Sequence, residues 1–568
     1  MKFKIQNLKF KIKDNFQMKT LIEILLKNRG IKTRKEIQEF LNPKLENVAI
    51  ENVGIDKKQL KKAISRIRLA IKNKEKIVIY GDYDVDGISG TAILWETLNS
   101  IGAKVMPYIP HRIEEGYGLS IGGIENCKLK IANCSLIITV DNGIVANKPV
   151  DYANKQGIDV IITDHHVSSK KLPDALAIVH TTMLCGTGVA WLLAQQLIIN
   201  NEELKIKNEG HLELVALATV ADLVPLKGAN RTLLKFGLEV LRKTKRIGLL
   251  ELFKEAEIDQ SKVEVYEIGH IIAPRLNATG RLDYAMDSLR LLCTKNKKRA
   301  EILAKEIGAT NKERQLLTIN TAQHAIESVK NSTSIKLRGA SKKGELKKLL
   351  FVAHESYQQG VIGLVAGKLV EEFYRPAIVI SKGKKYSKAS ARSVKGFDII
   401  EFIRTAQEFL VDAGGHPMAA GFTIETIKLP LLQKALEDKA ELMLNKDLLT
   451  RNLRIDSELP LSLININLYE SLQKLAPFGM GNPEPIFVSS CIIEDIRLVG
   501  AEGKHLKLAV RDQKLEVKFE GIGFGLGDRA NELHIGDKIN ITYTIDENEW
   551  NGEKHLQLKI KDIIKSES

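Results

Sequence analysis

The chain has 568 residues, 44% hydrophobic and 27% charged, and its 85 lysines and arginines against 70 aspartates and glutamates give a formal charge of +15. That length is too great for one hydrophobic core and predicts about three to four domains of ordinary soluble composition. The basic excess favours a polyanionic partner, nucleic acid ahead of a membrane surface, and no apolar run approaches the roughly 18–20 residues that a membrane span needs.

The five cysteines, Cys127, Cys134, Cys185, Cys293 and Cys491, are scattered, odd in number and without a Cys-x-x-Cys pair. Neither a zinc ribbon nor a disulfide framework is indicated, and free thiols in a reducing compartment are expected. The opening Met-Lys-Phe-Lys-Ile-Gln-Asn lacks a signal-peptide core, so a cytoplasmic protein is expected.

Residues 1–74 read as a polar, lysine-rich entry with helices at Leu21–Leu26 and Lys58–Ile71. From 75 to 230, the β-branched runs Ile77–Tyr80, Leu136–Val140 and Val160–Thr163 alternate with helical segments. That alternation predicts an α/β domain with a parallel sheet covered on both faces, its ligands at the carboxyl ends of the strands. Residues 231–334 read as a long helical connector, and the alternating charges of Ala300–Lys330 predict a solvated face. Residues 335–445 return to mixed α/β, with glycines at 360, 363, 414 and 415. From 451 to 568 the short runs Ile486–Ser489, Ile492–Leu498, His505–Val510, Ile539–Ile545 and Leu556–Ile560 predict a small β-barrel, of which an OB-like barrel is one candidate. Its aromatics Phe478, Phe487, Phe524 and Trp550 read mostly as core.

The densest chemistry follows the first strand, in Gly-Asp82-Tyr-Asp84-Val-Asp86-Gly87. Along an extended chain, alternate residues point to one side, so these carboxylates are expected to converge. Like charges in one place repel unless cations lie between them, which asks for divalent metal. Three more turns join this one: Val-Asp141-Asn-Gly, Thr-Asp164-His165-His166 and Ala-Asp222-Leu-Val-Pro. Each alone reads as a cap or turn; four at equivalent ends of one α/β domain point to a shared site.

Together these motifs resemble the DHH phosphoesterase superfamily, and in particular its single-strand-specific 5′→3′ DNA exonuclease branch. The likeness extends to Pro110-His-Arg112-Ile-Glu-Glu-Gly-Tyr117-Gly, Ala273-Pro-Arg275-Leu-Asn277-Ala-Thr-Gly280-Arg281, Gly360-Val-Ile-Gly363, Ala389-Ser390-Ala-Arg392, Gly414-Gly-His416-Pro and Ala476-Pro-Phe478-Gly-Met-Gly481-Asn482-Pro. It implies a parallel-sheet DHH catalytic domain, a helical connector, a DHH-associated α/β domain and an OB barrel. Two Mn²⁺ or Mg²⁺ ions are implied, one held by Asp86, Asp141, His165 and Asp222, the other by Asp82, Asp84 and a bridging Asp141. His166 would contact phosphate and assist the leaving group, while Asp164 orients the histidines. The resemblance further implies that Arg112, Ser390 and Arg392 bind a 5′-terminal phosphate, that Asn277 and Arg281 touch the backbone, and that His416 faces the metals.

The implied activity is hydrolysis of single-stranded DNA to 5′-mononucleotides in recombination and repair, by a monomer working with a helicase and a single-strand-binding protein. A phosphodiesterase for short oligonucleotides or cyclic dinucleotides, or a non-catalytic single-strand-binding scaffold, are the alternatives. The chain departs from the family pattern at Tyr357-Gln358, where Trp-His is usual, and over Ile178–Thr182, where an Asn-Pro loop is usual.

Overall fold

The computed structural model describes residues 18–565 except 113, 132, 200–210, 333, 338–339, 344–345, 513–516 and 551–552. Its first sheet joins β1 (Lys76–Gly81), β2 (Lys104–Tyr108), β3 (Cys134–Val140), β4 (Asp159–Asp164) and β5 (Ala177–His180) in the order β2-β1-β3-β4-β5. All four pairings are parallel. Alternate residues of β1 enter different cores: Ile77 and Ile79 meet the helices Val85–Ser100, Gly186–Leu197 and Leu212–Ala221, while Val78 and Tyr80 pack with Ile124 and Val150 on the other face. Burial on both faces explains the unbroken apolar runs in the sequence. The strand order reverses between β1 and β3, and in open α/β sheets that crevice receives ligands.

The region expected as a connector divides between two cores. Helices Gly228–Leu241, Ile247–Glu255 and Met286–Cys293 pack into the first domain, together with Ala300, Leu303, Ala304 and Ile307 of the helix Lys297–Ser332. The far end of that 36-residue helix contributes Ala322, Ala325 and Val329 to the second α/β domain. At 1.5 Å per residue it is a strut about 54 Å long with one end in each core.

Beyond it, β6 (Ser334–Leu337) and β7 (Ala340–Lys343) form a hairpin. The second main sheet has the order β11-β12-β10-β9-β8, from β8 (Leu350–His354), β9 (Ala377–Ser381), β10 (Tyr386–Arg392), β11 (Leu410–His416) and β12 (Ala419–Glu425). The barrel comprises β13 (Ser457–Glu458), β14 (Phe487–Val499), β15 (His505–Asp512), β16 (Lys518–Gly523), β17 (Lys538–Trp550) and β18 (Glu553–Lys565). It closes because β14 pairs with both β15 and β17 while β16 pairs with β18. The two runs expected at Ile486–Ser489 and Ile492–Leu498 are one strand, β14, and β16 adds a strand whose glycines and charges conceal its pattern. Residues 18–41 belong to this barrel, where Leu21, Leu25, Leu26 and Phe40 are buried, whereas Leu60, Ala63 and Ile67 lie on the first domain's core.

One buried arginine, on helix Gly228–Leu241, ties the barrel to the first domain, and a second ties residues 18–41 to the barrel's entry segment. Arg231, 1% exposed, donates to the carbonyl oxygens of Phe40, Leu475 and Ala476 at 3.0, 2.9 and 2.6 Å and lies 3.8 Å from the Phe40 ring centroid. Arg29 donates to Asn482 Oδ1 at 2.8 Å and to the Pro483 carbonyl at 2.6 Å. Carbonyls gathered around one guanidinium lose their partner together when it is removed. Arg231→Met is therefore expected to destabilise the protein by roughly 2–4 kcal/mol, seen as a lower denaturant midpoint with the barrel melting separately from the first domain.

Candidate metal centre

Each acidic turn reaches the centre by its own route. Asp82, 1% exposed, follows β1 directly. The extended alternation expected for Asp82, Asp84 and Asp86 does not occur. Asp84 is instead the N-cap of helix Val85–Ser100, its Oδ1 accepting from the amides of Asp86 at 3.0 Å and Gly87 at 3.1 Å, and Asp86 sits in the first helical turn. The turn requires glycine at 87, because a Cβ there would lie 2.5 Å from the Asp82 nitrogen. Asp86 is then fixed by the start of another helix: Gly186 N donates to its Oδ2 at 2.7 Å and Thr187 N to its Oδ1 at 2.6 Å. Amides at a helix N-terminus favour an anion there.

Asp141 follows β3 with a positive φ of 63°, a conformation that Asp and Asn adopt more readily than other side chains. His165 follows β4. Asp222 departs from the expectation of four equivalent strand ends, since it is the C-cap of helix Leu212–Ala221. His165 Nε2 lies 3.1 Å from Asp141 Oδ1, 3.6 Å from Asp222 Oδ2 and 3.7 Å from Asp86 Oδ2. The loop after Asp222 rests on the barrel's entry segment, where Leu226 N donates to the Met480 carbonyl at 2.7 Å and a Cβ on Gly481 would approach Pro225 Cβ to 3.0 Å.

Three donor sets each fall within 4.8 Å: Asp82, Asp84 and Asp141; Asp86, His165 and Asp222; and Asp141, His165 and His166. Asp82 Oδ1, Asp141 Oδ1 and His165 Nε2 are buried without a hydrogen-bond partner, the state of ligands made for a cation. Burial and then the neighbouring carboxylates raise Asp82, Asp84 and Asp141 above the usual range and push Asp222 up to about 8. Burial lowers His165, favouring the neutral imidazole that ligates metal. Oxygen and imidazole donors without a thiolate suit Mn²⁺ or Mg²⁺, so the residues present fit the divalent ions.

Asp164 is occupied with positioning. It accepts from the amides of Ile144, His165 and His166 at 2.9, 2.7 and 3.1 Å, and lies 2.8 Å from His166 Nδ1. Against the cost of burial, that contact pushes His166 up to about 9. His166 Nε2 lies 3.1 Å from the Tyr117 hydroxyl, and the His416 ring from β11 stacks on it at 5.9 Å between centroids. Two of these partners were not legible beforehand. Tyr117 lies in a quoted motif without an assigned contact, and His180, in the segment that departs from the family pattern, has its Nε2 2.7 Å from the His166 carbonyl oxygen. At the other departure, Tyr357 is buried with its hydroxyl 2.7 Å from His324 Nδ1.

The residues expected at the strand's end lie on the seam between the α/β domains. Arg392 Nη1 donates to Ser390 Oγ at 3.1 Å, and a Cβ on Gly363 would come within 3.0 Å of that guanidinium. Arg112 stands over the Tyr83 ring at 5.0 Å. Arg281 Nη1 makes a long contact of 3.4 Å to the Gly360 carbonyl. Asn277 uses its side-chain oxygen internally, accepting from Val85 N at 2.9 Å, which leaves only its amide hydrogens for a substrate. In the barrel Phe487 is core, Phe478 is half-buried and Phe524 is 59% exposed against His505; the Trp550 side chain lies outside the described residues.

Family models match the DHH family N-terminal domain over residues 76–219, the DHHA1 domain over 346–442 and the RecJ OB domain over 455–562. A parallel sheet carrying this Asp and His set at its switch point, joined to a DHHA1 domain, defines a DHH-type phosphoesterase. The single-stranded-DNA-specific exonuclease RecJ of Bacillus subtilis (strain 168) is 38% identical over 96% of this chain and 68% of its own length. That of Escherichia coli K12 is 30% identical over 96% of both chains. The crystal structure of RecJ in complex with Mn²⁺ from Thermus thermophilus superposes with a TM-score of 0.80 at 28% identity, over 96% of this chain and 76% of that one. The chain belongs to the RecJ family.

Asp141→Asn keeps a side chain suited to the positive φ while removing one of the crowded charges. It is expected to raise the stability of the metal-free protein by about 1 kcal/mol or more, read from chelator-treated denaturation curves. The same variant is expected to lose the thermal upshift that Mn²⁺ gives the unmodified protein.

Proposed function

We propose that this protein is a metal-dependent exonuclease that degrades single-stranded DNA from its 5′ end to 5′-mononucleotides, in recombination and repair. The observation that carries the reading is the set of buried, unpartnered donors on Asp82, Asp141 and His165 facing one another at the sheet's switch point. Asp82, Asp84 and Asp141 would hold one divalent ion, and Asp86, His165, Asp222 and the shared Asp141 the other. Ions held there would supply positive charge to the phosphodiester and lower the cost of activating water.

The chain's own groups supply the rest. His166, held by Asp164 and Tyr117, is placed to donate a proton toward the leaving oxygen. Arg112, Ser390 and Arg392 take the terminal phosphate, for which guanidinium forks are suited. A fixed end beside the cutting centre limits each event to the first linkage, which makes the enzyme an exonuclease with 5′→3′ direction. The closed barrel, tied to the first domain through Arg231, grips the incoming strand. A single-strand substrate calls for an opened duplex, so a helicase and a single-strand-binding protein are the partners this reading requires, in the cytoplasm, with the enzyme acting as a monomer. No helix among the described residues is long and apolar enough to cross a membrane.

A time course on 5′- and 3′-labelled single strands and matching duplexes tests this directly. Release of label from the 5′ end of single strands, dependent on Mn²⁺ or Mg²⁺, is the expected result; attack on duplex ends or from the 3′ end overturns it. Asp141→Asn should abolish turnover while retaining strand binding. Arg392→Ala should lower kcat/KM on 5′-phosphorylated strands by roughly ten- to a hundredfold, and should leave 5′-hydroxyl strands nearly unaffected.

A further inference from the structure

The charge pattern of Ala300–Lys330 predicts a solvated helix face, but one stripe of that helix is buried: Asn311 is 2% exposed, Thr318 8% and Thr321 7%. Asn311 Oδ1 accepts from Arg314 Nε at 3.2 Å and Nη2 at 2.8 Å. A buried amide that aims a guanidinium needs a compensating use for the charge it holds. Among the described residues no carboxylate pairs with Arg314, and burial lowers it.

The helix Ala273–Leu282, which carries Arg281, packs along the same strut. Arg281 also sits tightly against the second domain, since the Gly360 position touches its carbonyl oxygen and leaves no room for a Cβ. Burial and then the guanidiniums of Arg112, Arg314 and Arg392 push Arg281 down to about 10. Arg112, Arg281, Arg314 and Arg392 thus come from four separate segments to one seam, and among the described residues none of the four forms an ion pair with a carboxylate. Such crowding is stabilised by anions placed between the cations. One terminal phosphate engages Arg112 and Arg392, leaving the forks of Arg281 and Arg314.

We propose that Arg314, aimed by Asn311, forms with Arg281 a second phosphate subsite that grips an internal phosphate of the strand. The long helix is then part of the substrate path as well as a strut. This inference rests on the 5′-end nuclease reading and sharpens it by adding a residue absent from the sequence motifs.

The test compares the full-length enzyme with Arg314→Ala, Arg314→Lys and Asn311→Asp on single strands. The strands carry a 5′-phosphate or 5′-hydroxyl, or one uncharged methylphosphonate at each of the first four linkages. Arg314→Ala should raise KM roughly tenfold with kcat little changed, and reduce the slope of log affinity against log salt by about 1. It should do so equally for both 5′ ends, and one methylphosphonate position that weakens the unmodified enzyme should become silent. Arg314→Lys should restore the salt slope and part of the affinity. Asn311→Asp, which ties the guanidinium into an ion pair, should reproduce the KM defect without a lower melting temperature.

An unchanged KM and salt slope in a folded Arg314→Ala overturns the subsite. So does loss of 5′-phosphate discrimination with every methylphosphonate penalty intact, which would place Arg314 in the terminal pocket. Should Arg314→Ala fail to fold, Arg314→Lys and Asn311→Asp decide the question by the same two readouts. If the unmodified enzyme itself ignores single strands, the nuclease reading fails, an outcome separate from failure of the subsite alone.

Discussion

Five carboxylates share one crevice, and repulsion among them is the constraint around which the first domain is arranged. Backbone donors hold two of them against that repulsion, while burial adds to the cost of keeping the others charged. Asp84 caps a helix, Asp86 meets the first amides of another, and Asp141 is held after β3 by its amide's bond to the Thr163 carbonyl at 3.0 Å. A chain that keeps such a cluster without ions stores energy that cation binding releases. The strand order makes this possible, because only at the reversal between β1 and β3 do two strand ends open onto the same space.

Positioning runs outward in layers from that crevice. Asp164 fixes both histidines, His180 and Tyr117 steady His166, and Asn277 holds the turn that presents Asp82 and Asp84. Such supporting contacts set ligand orientation and basicity as surely as the ligands themselves. His416 reaches the same place from the second sheet, so the cleft between the α/β domains has chemistry on both walls.

Much of this was legible from residue order, and what was not has physical reasons. β1, β3 and β4 announce themselves as short β-branched runs because both faces are buried. Asp82, Asp84, Asp86, Asp141, His165 and Asp222 fall into overlapping groups in one crevice, and two of the local geometries differ from the expected ones. Periodicity could not show that Asp84 and Asp86 lie in a helix start, since the deciding fact is the clearance between Gly87 and the Asp82 backbone, a tertiary contact. Nor could an apolar run ending in Asp222 be told from a strand, as buried helices and buried strands share that composition. The placement of residues 18–41 on the barrel depends on contacts more than 400 positions away, such as Arg29 to Asn482. Arg314 was hidden because an arginine in a charged helix reads as solvated until its neighbours are known.

The contact between Met480 and Leu226 changes what sort of module the terminal barrel is. A domain joined by a flexible tether could be exchanged for another nucleic-acid binder without disturbing chemistry elsewhere. Here the entry segment 474–483 is interleaved with Arg231, with Arg29 and with the loop that follows Asp222. Barrel and acidic crevice are thus parts of one packed unit, and a chimaera that swaps the barrel would have to carry that segment and its two arginine sockets across as well.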